Sequence, residues 1–339
     1  MKTAAIALVL LAGAAPAQEP KVVNVLATTT DLAAIAREVG GDSVKVSSLA
    51  KGPEDPHFID ARPSFIRMAK DADLFLKIGM ELEAGYEGPL VLQARNPRIQ
   101  PGTPGYCDAS AGVDKLEVPT GTVDRSLGDV HPDGNPHYLL DPVRAKAVAN
   151  TIADSLAAVD PPHSDAYRER AKAFAARMDD RMFGAKLLAR APAKRLERLL
   201  AEGKLAAYLK EKGWEADLGG WAKEMVPFAG AKVVSYHALF LYILDRFHLD
   251  DAAHLEPKPG VPPSPRHTQQ VMEAMKAQGT RVLLASVFNP KDISEAVSKE
   301  TGAKVVILAH MPSAVEGTDD YASFVDHNVK ALAAGLGGK

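Results

Sequence analysis

Residues 22–46 read VVNVLATTTDLAAIAREVGGDSVKV, and this stretch decides the fold. A β-rich run at 22–26 is followed by a helical stretch through Leu32 and Ile35, and a second β-rich run follows at 44–46. Short strands that alternate with helices are typical of βαβ units, whose strands form a parallel sheet. The stretch therefore predicts an α/β fold.

The same alternation continues through a first lobe, which we place at residues 22–160. Residues 73–78, DLFLKI, predict another strand. Asp141 and Pro142 then predict the start of a helix, because aspartate is a favourable N-cap and proline fits the first helical turn. The two prolines that follow Asp160 end this helix.

A second lobe is predicted to follow a connecting helix. The helical pattern begins near Ser164, and we predict one connecting helix within residues 161–190. A C-terminal lobe then occupies residues 191–339, with the charged helical residues 190–228 as its cap. Strands are predicted in this lobe at 231–235, 281–285 and 304–308. The predicted fold class is α/β, with two βα-sandwich lobes that contain parallel sheets and are joined by a single long helix.

The first 17 residues have the features of a signal peptide. Lys2 gives a positive start, residues 4–11 are apolar, and the small residues at 15–17 suit cleavage. No later segment approaches the roughly 20 apolar residues that a membrane-spanning helix needs. No cysteine follows the apolar stretch to accept a lipid, so we expect a periplasmic protein without a lipid anchor.

The composition excludes one class of partner. Lysine and arginine number 40 against 43 acidic residues, and no basic stripe with interleaved aromatics is present, which argues against nucleic-acid binding. The single cysteine, Cys107, cannot form an internal disulfide. It also lacks the spaced partners of a zinc cluster, so we expect a buried thiol there.

Three histidines lie in loops that follow predicted strands or precede a predicted helix. His57 follows Asp-Pro, His137 follows Asn-Pro, and His237 comes directly after the strand at 231–235. Ligands of α/β proteins bind at such positions. The first two histidines belong to one lobe and the third to the other, so a shared site would lie in the cleft between the lobes.

Imidazole is a common zinc ligand, and a preceding proline restricts the backbone at two of the three histidines. Each histidine alone could be an ordinary surface or core residue, but their comparable positions favour a metal site. His131 could bind metal weakly, although we expect a solvated loop residue. His310 follows the last predicted strand and is a further candidate. The remaining histidines are expected to be structural: His163, His248, His254, His267 and His327.

Five segments of the chain resemble the zinc- and manganese-binding periplasmic proteins of ABC importers, also called cluster A-I binding proteins. These segments are DPH at 55–57, NPHYLLDP at 135–142, VVSYH at 233–237, EPKPG at 256–260 and TGAKVVIL at 301–308. The resemblance implies two α/β lobes joined by one rigid helix. It also implies that His57, His137 and His237 bind the metal.

The sequence departs from this family at the fourth ligand. Members carry an aspartate after the last strand, where this chain has Ala309-His310, and a glutamate of many members is replaced by Ser286. We predict that His310 fills the fourth position, and water or a carboxylate is the alternative. Three or four imidazoles favour zinc over manganese, which prefers oxygen ligands, although copper would also bind.

The predicted function is capture of a divalent transition metal, most simply zinc, and its delivery to the membrane permease of an ABC importer. We expect a monomer without enzymatic activity. A zinc hydrolase is the main alternative, since three histidines with an open position also describe catalytic zinc, and Glu54 or Asp55 could act as the base. A metal-binding adhesin or a periplasmic zinc carrier for another acceptor is a further alternative.

Overall fold

The computed structural model describes residues 22–60, 62–121, 131–258 and 260–338. The predicted signal peptide, residues 1–17, lies outside this range. Within these described residues, no helix has both the length and the apolar character required to span a membrane. The predicted fold class is confirmed, because the chain forms two parallel-sheet α/β lobes joined through long helices.

The N-terminal lobe is built on a four-stranded parallel sheet. Its strands in chain order are β1 (Val23–Ala27), β2 (Val44–Ser48), β3 (Leu74–Lys77) and β4 (Tyr106–Asp108). They lie in the spatial order β2-β1-β3-β4, and each neighbouring pair is parallel. Three helices connect these strands: α1 (Thr30–Gly40), α2 (Pro63–Asp71) and α3 (Glu87–Ala94). The apolar residues of β1 and β3 are almost completely buried, as expected for a parallel sheet covered on both faces.

Six α-helices follow the first sheet in the described part of the chain. They are α4 (Pro142–Val159), α5 (Ser164–Phe183), α6 (Ala185–Leu188), α7 (Ala193–Ala201), α8 (Leu205–Lys212) and α9 (Gly220–Met225). The predicted cap of α4 is present, because the Asp141 carboxylate accepts a hydrogen bond from the Val143 amide at 2.9 Å. The long connecting helix is α5, which packs along α4. It ends at Gly184, where φ is +75° and the chain passes close to Gly219.

The C-terminal lobe repeats the architecture of the first. Its strands are β5 (Lys232–Ser235), β6 (Asp250–His254), β7 (Val282–Ala285) and β8 (Lys304–Ile307). They lie in the order β6-β5-β7-β8, again all parallel. The helices of this lobe are α10 (Leu241–Arg246), α11 (Pro265–Gln278), α12 (Lys291–Thr301) and α13 (Tyr321–Leu336). Each lobe therefore places its second strand beside its first at the edge of the sheet.

One apolar cluster extends through both lobes. It includes Val25 of β1, Ile152 and Phe174 of the paired helices, and Val233 and Leu284 of the second sheet. Helix α9 packs on both α5 and α13, so the predicted cap at 190–228 also contacts the connecting helix. Protein cores are close-packed and resist deformation. The connection between the lobes is therefore a packed core rather than a flexible linker.

Strands β4 and β6 are absent from the sequence prediction. Strand β4 has only three residues, and β6 reads DDAAH, without an apolar run. Both are edge strands. An edge strand has a neighbour on one side only, so it requires less apolar sequence than a central strand. The predicted boundaries of the lobes at 22–160, 161–190 and 191–339 remain predictions.

Candidate metal centre

His57, His137 and His237 meet in the cleft between the lobes. One ring nitrogen from each lies within 4.8 Å of the other two. The ring centroids are separated by 5.1 Å (His57–His137), 6.0 Å (His57–His237) and 5.9 Å (His137–His237). Tetrahedral zinc with ligands at about 2.0–2.1 Å requires nitrogens about 3.4 Å apart. The three side chains therefore need only small shifts to bind one ion.

A carboxylate in the same loop orients His57. Its Nδ1–H donates to Asp55 Oδ1 at 2.8 Å, and its backbone N–H donates to the same oxygen at 3.0 Å. Burial would raise the pKa of Asp55, but its hydrogen bonds with His57 outweigh burial and lower it. The other ring nitrogen, Nε2, is buried without a hydrogen-bond partner among the described residues. A buried polar atom without a partner is costly unless a ligand completes it, so Nε2 is available for a metal ion.

A carboxylate from another strand orients His237. The Nδ1–H of His237 donates to Glu256 Oε2 at 2.7 Å, and the Gly260 amide donates to the same oxygen at 3.0 Å. Glu256 follows β6, whereas His237 follows β5. Carboxylates that bind the second nitrogen of a metal-ligating histidine fix its tautomer and its ring orientation. Asp55 and Glu256 both have this position, and the sequence reasoning assigned this role to neither.

Asn135 holds the loop that carries His137. Its backbone N–H donates to Asn135 Oδ1 at 3.0 Å. Burial, together with the nearby charges of His57 and His237, holds the pKa of His137 well below its ordinary value. A neutral imidazole is the form that binds metal, so His137 is in the binding form at neutral pH.

Asn135 joins the two loops that carry His137 and His237. While its Oδ1 accepts from His137, its Nδ2 donates to the Ala238 carbonyl at 2.8 Å across the cleft. Nδ2 also donates to Glu117 Oε2 at 3.1 Å. An amide can donate and accept at once, whereas a carboxylate cannot. The Asn135 side chain therefore bridges the two loops that carry His137 and His237.

Comparison with known proteins identifies the family. Residues 25–211 and 216–335 match the family model described as ZnuA, the periplasmic component A of zinc-uptake complexes. The chain belongs to the ZnuA family. This membership confirms the resemblance drawn from the five segments and places the chain among the substrate-binding proteins of metal transport. Export to the periplasm agrees with the description of the family.

Individual relatives of this ZnuA-family chain differ in the metal named for them. The zinc-binding lipoprotein AdcA of Streptococcus pneumoniae is 23% identical over 335 residues, which cover 96% of this chain and 58% of AdcA. The iron-binding protein YfeA of Yersinia pestis is 24% identical over 332 residues, covering 95% of this chain and 89% of YfeA. A crystal structure of ZnuA has a TM-score of 0.69 at 20% identity and covers 93% of this chain and 100% of that chain, which shows a shared fold. The expected absence of a lipid anchor remains a prediction, and AdcA is named a lipoprotein.

The structure places His310 beside the group of three histidines but not within it. Its Nε2–H donates to the Glu54 carbonyl at 3.0 Å, and its Nδ1 accepts from the Ser286 hydroxyl at 2.8 Å. Burial lowers the pKa of His310 to about 4. Both ring nitrogens are therefore in use, and binding a metal ion would require His310 to give up one of these bonds. The fourth-ligand role of His310 remains a prediction.

His131 lies closer to the group than sequence reasoning expected. Its ring centroid is 5.5 Å from that of His57, and it lines a cavity of about 300 Å³ together with His137 and His237. Burial, followed by the charges of His57 and His237, lowers the pKa of His131 to about 4. The only sequence signal was its position six residues before His137. A partly buried histidine facing three others differs from the solvated loop residue that we expected.

Four of the remaining histidines have hydrogen-bond partners away from the group of three. His163 pairs with Asp160 at 2.7 Å, and His254 pairs with Asp251 at 3.1 Å. The rings of His248 and His267 bond to backbone carbonyls. Cys107 is buried in the sheet, and burial raises its pKa to about 11. A thiol with this pKa stays protonated, so it is a poor metal ligand.

Proposed function

We propose that this protein captures one divalent transition metal ion, zinc by preference, in the cleft and delivers it to the membrane permease of an ABC importer. The observation that carries the proposal is the convergence of three histidine nitrogens within 4.8 Å of one another, two from the N-terminal lobe and one from the C-terminal lobe. The proposal rests on family membership as well. Capture and delivery, rather than catalysis, is the activity proposed.

The chemistry of the donor atoms supports zinc. Three neutral imidazoles suit zinc, whereas manganese prefers oxygen-rich octahedral sites. The two nearby carboxylates, Asp55 and Glu256, are hydrogen-bonded to the histidines that they orient. They are therefore engaged outside the ligand set. Copper remains a competitor by affinity, so selectivity against it depends on the metals that the periplasm supplies.

The same hydrogen bonds argue against the hydrolase alternative. Asp55 is held by His57, and the Glu54 carboxylate accepts a hydrogen bond from the Lys51 amide at 2.9 Å. A general base must reach the water or group from which it takes a proton. Both proposed bases already accept hydrogen bonds from groups of the protein. Zinc-loaded protein should therefore bind zinc stoichiometrically without hydrolysing ester, phosphate or peptide substrates.

Delivery requires that the permease distinguish loaded from empty protein. The histidines come from both lobes, so metal binding is coupled to the arrangement of the lobes. A bound ion shifts the equilibrium between an open and a closed arrangement by as much as its affinities for the two differ. The packed core that spans the lobes keeps this change small. We propose that the permease recognises the metal-closed arrangement of a monomer.

Substitution of each ligand tests the proposal. His57→Ala, His137→Ala and His237→Ala should each weaken zinc binding by at least about tenfold, or about 1.4 kcal/mol, in competition titrations with a chelator. His163→Ala is the matched control, since His163 pairs with Asp160 away from the group, and its affinity should equal that of the parent. A ligand variant that binds zinc like the parent would remove that histidine from the site. Metal analysis of protein purified from its own periplasm would identify the bound ion.

A further inference from the structure

We propose that Asp31 is the positioning carboxylate for His137 and acts through one water molecule, which is held in a small cavity between the two side chains. This inference rests on the proposed function, because the water would hold a metal-binding histidine in its ligating orientation. Asp31 itself would not contact the metal ion. Each of the three proposed ligands would then be oriented by a carboxylate of its own.

The ring of His137 differs from the rings of the other two proposed ligands. His57 and His237 each donate a ring N–H to a carboxylate. Among the described residues, the His137 ring forms no hydrogen bond, and only the backbone of this residue is held. A metal-ligating histidine donates its second ring N–H to a carboxylate, a backbone carbonyl or a water. His137 therefore requires a partner of this kind when it binds a metal ion.

A small cavity beside His137 provides the place for this partner. It has a volume of about 20 Å³, and its polar lining consists of Thr29, Asp31, His137 and His310, with apolar side chains around them. A cavity needs about 10–15 Å³ and two to four polar partners to hold a water molecule. His137 also lines the larger cavity of about 300 Å³ that it shares with His237. Its ring therefore lies between a space for the metal ion and a space for one water.

Asp31 provides the acceptor for this water. It lies in the first turn of α1 and is only 7% exposed. Its Oδ1 accepts hydrogen bonds from the Leu32 amide at 2.8 Å and from the Thr29 hydroxyl. A threonine at an N-cap usually accepts from an amide of the first turn, whereas Thr29 makes no such cap bond. The carboxylate is thus held through one oxygen, and Oδ2 accepts no hydrogen bond from another described residue.

The other polar groups of the cavity do not fill this role. Both ring nitrogens of His310 are hydrogen-bonded elsewhere, and the Thr29 hydroxyl donates its proton to Asp31. An aspartate in a first helical turn also interacts favourably with the helix dipole, but an exposed position is sufficient for that. Burying a carboxylate is costly unless hydrogen bonds compensate for the lost water. The proposed water would accept from the His137 ring and donate to Asp31 Oδ2.

The experiment compares the zinc affinity of the full-length mature protein with that of Asp31→Asn, by chelator competition at pH 7.5. The asparagine oxygen must face the Leu32 amide, which is a donor, so the amino group takes the place of Oδ2 and the water loses its acceptor. We expect a loss of at least about tenfold in zinc affinity, the usual cost of removing a group that orients a metal-ligating histidine.

Glu83→Gln is the matched control, because it makes the same change from carboxylate to amide at a buried residue of the same lobe. Glu83 accepts from the Thr28 hydroxyl at 2.7 Å, much as Asp31 accepts from Thr29, but it does not line the small cavity. This variant should keep the parent zinc affinity. An equal loss of affinity in both variants would assign the effect to the lobe as a whole and overturn the inference.

Nitrogen NMR of the metal-free proteins reports on the His137 ring directly. In the parent, one ring nitrogen should carry the proton and the other should not, so their two signals should be well separated. In Asp31→Asn the two tautomers should mix, and the signals should move toward each other. The signals are assigned by their loss in His137→Ala. Unchanged signals in Asp31→Asn would contradict the inference, whatever the affinity of this variant.

A crystal structure of the parent tests the inference without any variant. Electron density for a water within hydrogen-bond distance of the His137 ring and of Asp31 Oδ2 is expected, and an empty cavity would overturn the inference. The failure of the proposed function is a separate outcome. If His137→Ala kept the parent zinc affinity, both would fail, whereas parent affinity in Asp31→Asn alone would remove only the role of Asp31.

Discussion

The two lobes share one sheet topology but use equivalent loops for different purposes. The loop after β2 carries a proposed ligand, His57, whereas the loop after its counterpart β6 carries the orienting carboxylate Glu256. The loop after β5 carries His237, whereas the segment after the counterpart β1 carries a threonine with a structural contact, Thr30 at the first position of α1. In a parallel sheet the loops that follow the strands all lie at the carboxyl ends of those strands, on one side of the sheet. The strand order therefore fixes where a ligand can be, and the local sequence decides which loop provides it.

The two lobes also differ in how they orient a histidine. Asp55 is two residues from His57, so the contact is made within one turn. Glu256 is nineteen residues from His237 and reaches it only when β6 pairs with β5. The first arrangement depends on local sequence, and the second depends on the folded sheet. Perturbing the fold should therefore affect His237 more than His57.

The largest effect should come from the ion pair that joins the lobes. Asp141, fully buried at the start of α4, accepts two hydrogen bonds from Arg246 of α10, at 2.9 and 2.8 Å. Burial would raise the pKa of Asp141, but the charges of Arg246 and Arg144 outweigh it and lower the pKa. Asp141→Ala leaves buried guanidinium groups without this carboxylate. We expect a loss of about 3–5 kcal/mol in the free energy of unfolding, measured by urea denaturation of metal-free protein.

An exposed pair provides the control for this measurement. Asp154 and Arg168 form an ion pair at 3.2 Å with both side chains at least half exposed. Exposed pairs contribute about 0–1 kcal/mol, so Asp154→Ala should be close to the parent. A loss below about 1 kcal/mol for Asp141→Ala would mean that the lobes are not held together by this pair.

Acid should destabilise both lobes of the metal-free protein. Burial lowers the pKa of His137 in one lobe and lowers that of His310 in the other to about 4. Between pH 6.5 and about 4 the unfolded chain therefore binds protons that the folded chain excludes, so stability falls as pH falls through this window. Each histidine contributes up to about 1.4 kcal/mol per pH unit. Above pH 6.5 neither contributes.

Urea denaturation at pH 7.5, 6 and 5 measures this dependence. His310→Gln keeps a polar side chain that does not titrate, so its stability should fall less steeply with acid than that of the parent. Equal slopes for the two proteins would contradict a buried, neutral His310.

The orienting carboxylates should affect zinc affinity by a smaller amount. Removal of such a group typically costs about 10–100-fold in metal affinity. We expect Glu256→Ala to lie at the upper end of this range, because His237 loses the carboxylate that accepts from its Nδ1–H. Asp55→Ala should lie at the lower end, since Pro56 still restricts the loop that carries His57. Chelator competition at neutral pH measures both.

Conservative variants test whether the loss of zinc affinity comes from the loss of the acceptor oxygen. Asn at 55 and Gln at 256 keep an oxygen that can accept from the histidine Nδ1–H, so Asp55→Asn and Glu256→Gln should retain most of the affinity. If Asp55→Ala lost more zinc affinity than Glu256→Ala, the result would contradict our expectation that a histidine oriented by a distant strand is more sensitive than one oriented within its own turn.

This contrast also explains what the sequence could predict. The fold class followed from the alternation that begins at residues 22–46, and the cap at Asp141 followed from local chemistry. The three histidines that the structure brings together were identified from the loops that carry them. Each of these features depends on a few neighbouring residues.

The features that sequence reasoning missed depend on contacts between distant segments. Glu256 orients His237 only through strand pairing, and His131 lies beside His57 only after the chain has folded. The hydrogen bond between His310 and Glu54 likewise joins residues 256 positions apart. Loop sequence without a local motif does not determine such contacts.

The smallest effect should come from Thr30, the first residue of α1, in the segment after β1 whose counterpart after β5 carries His237. Its hydroxyl donates to the Pro312 carbonyl of the other lobe at 2.6 Å. Thr30→Val keeps the shape of the side chain and removes the donor, so the metal-free protein should lose about 1 kcal/mol of stability. Thr151→Val is the control, because that hydroxyl bonds only weakly, at 3.3 Å, to carbonyls of α4 and a nearby loop. Zinc affinity should change less than twofold in either variant, since neither hydroxyl contacts a proposed ligand. If Thr30→Val lost as much free energy of zinc binding as free energy of unfolding, the segment after β1, like the loop after β5, would determine the geometry of the site.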